Sequence, residues 1–146
     1  MPTLRVRVDA GGRVPAGGKP GDAGLDLFVS EPVVIEPGQF VDVPCSVAVG
    51  LPAGWWGLIT GRSSTLRSRG LLVTQGVIDT GYRGLLFAGV YNLSDEPVAV
   101  AAGERLAQLI LLPNVRSRRV GRLRLRRVWQ LGETVRGVGG FGSTGR

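Results

Sequence analysis

The chain has 146 residues, 43% of them hydrophobic, and a formal net charge of +7. That length suits one domain with its own core. With no histidine and a single cysteine, it excludes a Ser-His-Asp triad, a Cys-His pair, a His-ligated zinc, a disulfide framework and a thiolate metal site.

Short apolar runs are punctuated throughout by turn formers, 24 glycines and 9 prolines in all. This pattern predicts an all-β sandwich or barrel. The start, Met1-Pro2-Thr3-Leu4-Arg5, lacks the basic-then-apolar order of a signal peptide. No run approaches the roughly 20 apolar residues that cross a bilayer, so a soluble cytoplasmic protein with no membrane contact is expected. In chain order, strands are predicted near 4–8, 25–30 and 39–50, the last entered through Glu36-Pro37-Gly38. Cys45 reads there as a small buried hydrophobe within the run Val43 to Val49. Leu51-Pro52-Ala53-Gly54 leads into a strand at 55–61, followed by one helical turn from Ser64 to Arg69. Further strands are predicted at 71–78, 84–92, 97–100, 105–112 and 122–131. The end, RGVGGFGSTGR from Arg136 to Arg146, has almost nothing to bury. Such a segment cannot offset its ordering entropy alone. It reads as a tail, or as an arm that orders on a ligand.

Any chemistry must come from carboxylates, hydroxyls, arginines, backbone amides or a borrowed metal ion. Seventeen of the 18 basic residues are arginine, Lys19 being the exception. Arginine suits bidentate contact with phosphate. In Ala23-Gly24-Leu25-Asp26-Leu27, Asp26 caps a turn or holds a hydrated metal. In Gly61-Arg62-Ser63-Ser64, a hydroxyl of Ser63 or Ser64 caps a helix, or the hydroxyls and Arg62 take an anion. In the run from Gly76, Val77 and Ile78 through Asp79-Thr80-Gly81-Tyr82-Arg83-Gly84, Thr80-Gly81 fits a hairpin turn. Asp79 at the strand end stabilises its own turn or acts on water as a general base. Gln108 interrupts the apolar run that follows Gly103-Glu104-Arg105 and needs a polar partner. In the terminal segment, backbone amides can form an anion nest beside Arg136.

In this order, the five segments resemble the five motifs of the trimeric dUTPases, over roughly residues 23 to 145. The pair GVIDTGYRG and RGVGGFGSTG carries the likeness furthest. The resemblance implies a jelly-roll-like β-barrel over residues 1–135, a flexible C-terminal arm over 136–146 that closes the site, and a homotrimer with shared active sites. It implies hydrolysis of dUTP to dUMP and pyrophosphate, by attack of an Asp79-activated water on the α-phosphorus. Tyr82 matches the ring that packs on deoxyribose and excludes a 2′-hydroxyl. The backbone of Gly76, Val77 and Ile78 matches the reader of uracil. Arg62, Ser63 and Ser64 match phosphate contacts. Asp26 and Gln108 match residues near a hydrated Mg²⁺ cofactor, which Asp26 reaches through water. On the arm, Arg136, Gly142 and Ser143 match phosphate contacts, and Phe141 matches a ring that stacks over the base.

Three departures stand out. The second motif usually reads Pro-Arg-Ser-Gly. Leu85 occupies a position where an acid is common, and Val73-Thr74-Gln75 lacks an Asn that many members carry. A dCTP deaminase of the same superfamily shares the Arg62-Ser63-Ser64 pattern. It needs a carboxylate beside the base, however, and the stretch from Leu85 to Asn92 has none. A nucleic-acid-binding module is a third reading, because residues 116–127 hold seven arginines. The alternation of Arg122, Arg124 and Arg126 with Leu123 and Leu125 favours a solvated strand face instead. Intact Asp79, Tyr82 and arm residues argue against a catalytically idle relative.

Overall fold

The computed structural model describes residues 1–114 and 124–139. Its elements are β1 (Thr3–Val8), β2 (Gly24–Phe28), β3 (Val33–Ile35), β4 (Phe40–Gly50), β5 (Trp55–Gly61), α1 (Ser63–Arg69), β6 (Leu71–Val73), β7 (Gly76–Ile78), β8 (Leu85–Asn92), β9 (Val98–Val100), β10 (Arg105–Pro113) and β11 (Arg124–Arg127). A five-stranded sheet runs β11-β1-β4-β8-β6, a four-stranded sheet β2-β10-β5-β7, and β3 pairs with β9. The all-β expectation holds. The barrel is not closed: the strands remain in separate sheets around one core.

Period-two alternation drives this arrangement. On β1, Leu4 and Val6 are fully buried while Arg5 and Arg7 face outward. On β8, Leu86, Ala88 and Val90 are buried in turn. They meet Leu27, Ile59, Ile78 and Leu109 from the other sheet in the same apolar cluster. Cys45 lies in this core, as expected, and burial pushes its thiol pKa up to about 12. Just beyond it, Ser46 has φ 48°, and the β4–β8 register slips between Pro44 and Ala48. That is a bulge that bends the longest strand around the core. Asn92 is buried, but its amide donates to the carbonyls of Ile35 and Glu96, and its oxygen accepts from Ser94.

Two expectations need correction. The segment 71–78 is not one strand: β6 pairs with β8 in the larger sheet, and β7 pairs with β5 in the smaller. The Thr74 N–H still donates to Gly89 O at 2.8 Å, so the pairing with β8 runs through Thr74 and the chain changes sheet after it. The turn at Thr80-Gly81 is likewise not a hairpin, because β7 and β8 belong to different sheets. The Tyr82 N–H does donate to Asp79 O at 3.0 Å, so a tight turn forms, but it carries the chain from one sheet to the other. The expected strand at 122–131 is confined, among the described residues, to β11, which pairs in parallel with β1.

Candidate active site

One cleft forms around the turn after β7. It is lined by Gly76, Val77, Ile78, Asp79 and Tyr82 on one side and Phe87 on the other. Several bonds hold the turn rigid. The Thr80 hydroxyl donates to Trp55 O at 2.6 Å. The Arg83 guanidinium donates to Thr80 O, Tyr82 O and Gly132 O at 2.8–3.2 Å. Burial, and then the nearby Arg5 charge, lower the Arg83 pKa. The Tyr82 ring is 5% exposed and sits within the core cluster, with its hydroxyl donating to Leu85 O at 3.0 Å. Burial raises its pKa. Tyr82 is therefore a cleft wall and a core residue together. The Asp79 carboxylate stays half-exposed and is ion-paired with Arg136.

The segment carrying Arg136 docks on this same turn. The Arg83 N–H donates to Gly137 O at 2.8 Å, and the Thr134 hydroxyl donates to Gly81 O. The start of the expected arm thus rests against the Asp79 turn of its own chain. Phe141, Gly142 and Ser143, and the arginines from 116 to 122, lie outside the described residues.

A second cleft lies elsewhere. Asp26, Arg62, Ser63, Arg105 and Gln108 line it, together with Lys19. Arg62 is the N-cap of α1, and no side chain caps that helix, so the capping reading of Ser63 and Ser64 does not hold. Thr65 fixes the helix start by donating to Leu106 O at 2.7 Å. Asp26 is only 13% exposed and takes two guanidiniums: Arg62 Nε at 2.8 Å on Oδ1 and Arg105 Nη1 at 3.1 Å on Oδ2. Gln108 donates Nε2 to Gly61 O at 3.0 Å, the partner its place in the strand required. A Cβ at Gly24 would meet the Gln108 carboxamide at 2.5 Å, so a side chain there would displace that amide.

Among the described residues no three acids, cysteines or histidines group as a metal site. Both Asp26 oxygens already meet arginines. This donor set fits a hydrated ion carried in on a polyphosphate, and not a metal bound directly by several side chains.

The two clefts share no lining residue. β2 and β7 are opposite edges of the four-stranded sheet, three strand spacings apart, or about 14 Å. Asp26 is level with Thr60, and Ile78 is level with Gly57, which adds about 10 Å along the strands. Within one chain, then, Asp79 and Asp26 stand roughly 17 Å or more apart. That is further than the span of a triphosphate. The structure places Arg62, Ser63, Asp26 and Gln108 around one cleft and Gly76 to Tyr82 around the other, while Ser64 lies outside the first cleft, and the two groups do not meet in one protomer. Arg105 and Arg83 carry no local signal of their roles: each reads as a solvated charge until its partners are seen.

Comparison with known proteins fits these clefts. The dUTPase family model matches residues 11–145. The deoxyuridine 5'-triphosphate nucleotidohydrolase of Gloeobacter violaceus is 40% identical over 136 residues, covering 90% of this chain and 88% of that protein. Its counterpart in Nocardia farcinica is 42% identical over 142 residues, covering 95% and 82%. Among solved structures, the Staphylococcus bacteriophage 80alpha dUTPase with dUPNHPP superposes with a TM-score of 0.73 at 28% identity, covering 98% of each chain. A mutant dUTPase from phage phi11 of S. aureus, described with a structural Mg(II) ion, superposes with a TM-score of 0.71 at 28% identity, covering 82% of this chain and 95% of that one. With a family model spanning nearly its whole length and relatives this similar, the chain belongs to the dUTPase family.

Proposed function

We propose that this protein hydrolyses dUTP to dUMP and pyrophosphate in the cytoplasm, as a homotrimer whose sites each draw on more than one chain. The observation that carries this reading is the pair of complementary clefts. One has a half-exposed carboxylate, Asp79, beside an apolar wall with free strand-edge backbone. The other has two arginines, a lysine and the Ser63 hydroxyl, groups suited to phosphates. The separation of the two clefts in one protomer supports a site built where chains meet.

In this reading the backbone from Gly76 to Ile78 takes the uracil edge, and the Tyr82 ring packs on the deoxyribose and leaves no room for a 2′-hydroxyl. Arg62, Ser63 and Ser64 bind the phosphates. Asp79 orients a water and accepts its proton as the oxygen bonds to the α-phosphorus. The bond from the α-phosphorus to the bridging oxygen breaks, and pyrophosphate leaves with its charge neutralised by arginine. A Mg²⁺ bound with the nucleotide would be held through its waters by Asp26 and Gln108, and it supplies charge neutralisation along the phosphates. Residues 136–146 act as an arm in which Phe141 covers the base while Arg136, Gly142 and Ser143 reach the phosphates. The test is incubation with Mg²⁺ and each of dUTP, dCTP, dTTP and UTP. dUMP and pyrophosphate should form from dUTP alone and cease on chelation. Release of a uracil nucleotide from dCTP would instead establish the deaminase reading.

A further inference from the structure

Arg105 stands in the fourth of the five segments but has no role assigned there, and it lines the phosphate-type cleft together with Arg62. Its guanidinium touches protein through one bond, Nη1 to Asp26 Oδ2 at 3.1 Å. Arginine has five N–H donors in a planar fork. Most of this fork therefore has no protein partner among the described residues, and the side chain is 49% exposed in the cleft. The neighbouring acid does not neutralise it: Glu104 is committed to Arg69 and to the Ala101 N–H. The backbone is also shaped at this point. The β10–β2 register slips between Arg105 and Ala107, and such a bulge re-aims the side chain next to it. Finally, one carboxylate faces two guanidiniums, leaving a net positive charge on the trio.

We infer that Arg105 is a second polyphosphate-binding guanidinium of this cleft, and that Asp26 braces Arg62 and Arg105 as a matched pair of forks. This rests on the dUTPase reading. Two forks braced by one buried carboxylate are held in place before the ligand arrives, which lowers the ordering cost of binding. An ion reached by Asp26 through water is compatible with this brace, since each carboxylate oxygen keeps a second lone pair beyond its arginine contact.

The experiment measures binding of an α,β-imido analogue of dUTP and of dUMP to the intact protein, with Mg²⁺ present, for wild type, Arg105→Met and Arg105→Lys. dUMP keeps the base, sugar and one phosphate but lacks the outer two. Loss of one charge-assisted contact is expected to weaken the analogue about 10- to 100-fold in Arg105→Met while dUMP affinity changes less than about 2-fold. Arg105→Lys keeps the charge without the fork and is expected to fall between. A role confined to supporting the fold would lower both affinities together, or lower Tm without changing their ratio, and either result would overturn the inference. Unchanged analogue binding in both variants would overturn it as well. A wild type that binds neither nucleotide would instead remove the dUTPase reading itself, so the two failures are distinguishable.

Discussion

The guanidinium of Arg136 is ion-paired with the carboxylate of Asp79. The same guanidinium donates Nε to Gly139 O at 2.8 Å, so the start of the arm folds back on itself over the turn. The carboxylate proposed to activate water is therefore held by an arginine proposed to bind phosphate. On the proposed mechanism, a bound triphosphate would offer the arginine a more highly charged partner and leave Asp79 for the water.

Asp79→Asn keeps the size and position of the side chain but cannot accept a proton. Its kcat is expected to fall by about 10²- to 10⁴-fold, the range for loss of a positioned base. Affinity for a non-hydrolysable dUTP analogue should stay within a few-fold. Single-turnover kinetics with near wild-type rates would remove Asp79 from this role.

Tyr82 needs a gentler change than truncation. Because its ring is buried in the core, Tyr82→Ala is expected to cost about 3–5 kcal/mol of stability, which would confuse any kinetic effect. Tyr82→Phe keeps the ring and removes the hydroxyl that donates to Leu85 O, a cost of about 1 kcal/mol. If the ring face selects the sugar, the phenylalanine variant retains the preference for dUTP over UTP. Equal turnover of the two nucleotides by this variant would place selection in the hydroxyl or elsewhere.

The separation of Asp79 from Asp26 leads to a complementation assay. Asp79→Asn chains and Arg62→Ala chains are each expected to be nearly inactive alone. Co-refolded in equal amounts, they should regain about a quarter of wild-type activity, because that share of inter-chain sites would combine both intact residues in a symmetric assembly. No recovery on mixing would mean that each chain completes its own site.

Removing residues 140–146 leaves the docked segment through Gly139 in place, with its bonds to the Asp79 turn. Tm and oligomeric state are therefore expected to be unchanged, while kcat falls at least 100-fold through loss of Phe141, Gly142 and Ser143, comparable with loss of preorganised electrostatic contacts. A full kcat in the truncated protein would reduce this segment to a tail.

Cys45 gives a prediction about alkaline stability. In the unfolded chain its thiol ionises near 9, whereas in the folded state it stays protonated to about 12. Its contribution is thus fully present below pH 9 and is lost as pH rises towards 12, at up to about 1.4 kcal/mol per pH unit. Urea titrations should show a steeper alkaline loss for wild type than for Cys45→Ala. Parallel losses in the two proteins would contradict this. At pH 8 the native thiol should also resist alkylation.

The residues that line the polar cleft were largely legible, because polar groups such as Asp26, Arg62 and Gln108 interrupt apolar runs where packing alone does not want them. The strand alternation was legible for the same physical reason: Leu4 and Val6 against Arg5 and Arg7 encode a buried and a wet face. Membership of a particular sheet was not. Nothing local in Leu71 to Ile78 marks the switch after Thr74, since the strands that β6 and β7 pair with, β8 and β5, lie elsewhere in the chain. β3 escaped because three residues between Pro32 and Glu36-Pro37 are too short to show a period. Arg105 escaped because a charged residue after Gly103-Glu104 looks solvated until Asp26, 79 positions earlier, is placed beside it.

The distance between the Asp79 edge and the Asp26 edge of one sheet has a thermodynamic corollary. A nucleotide that must touch both kinds of edge acts as a tie between protomers, and whatever binds the assembly but not the separated chain draws the equilibrium towards assembly. With the proposed shared site, subunit cohesion would then be a function of nucleotide supply. At low protein concentration the chains would hold together where the deoxynucleotide is plentiful and drift apart where it is scarce, so that substrate recruits the very neighbour needed to consume it.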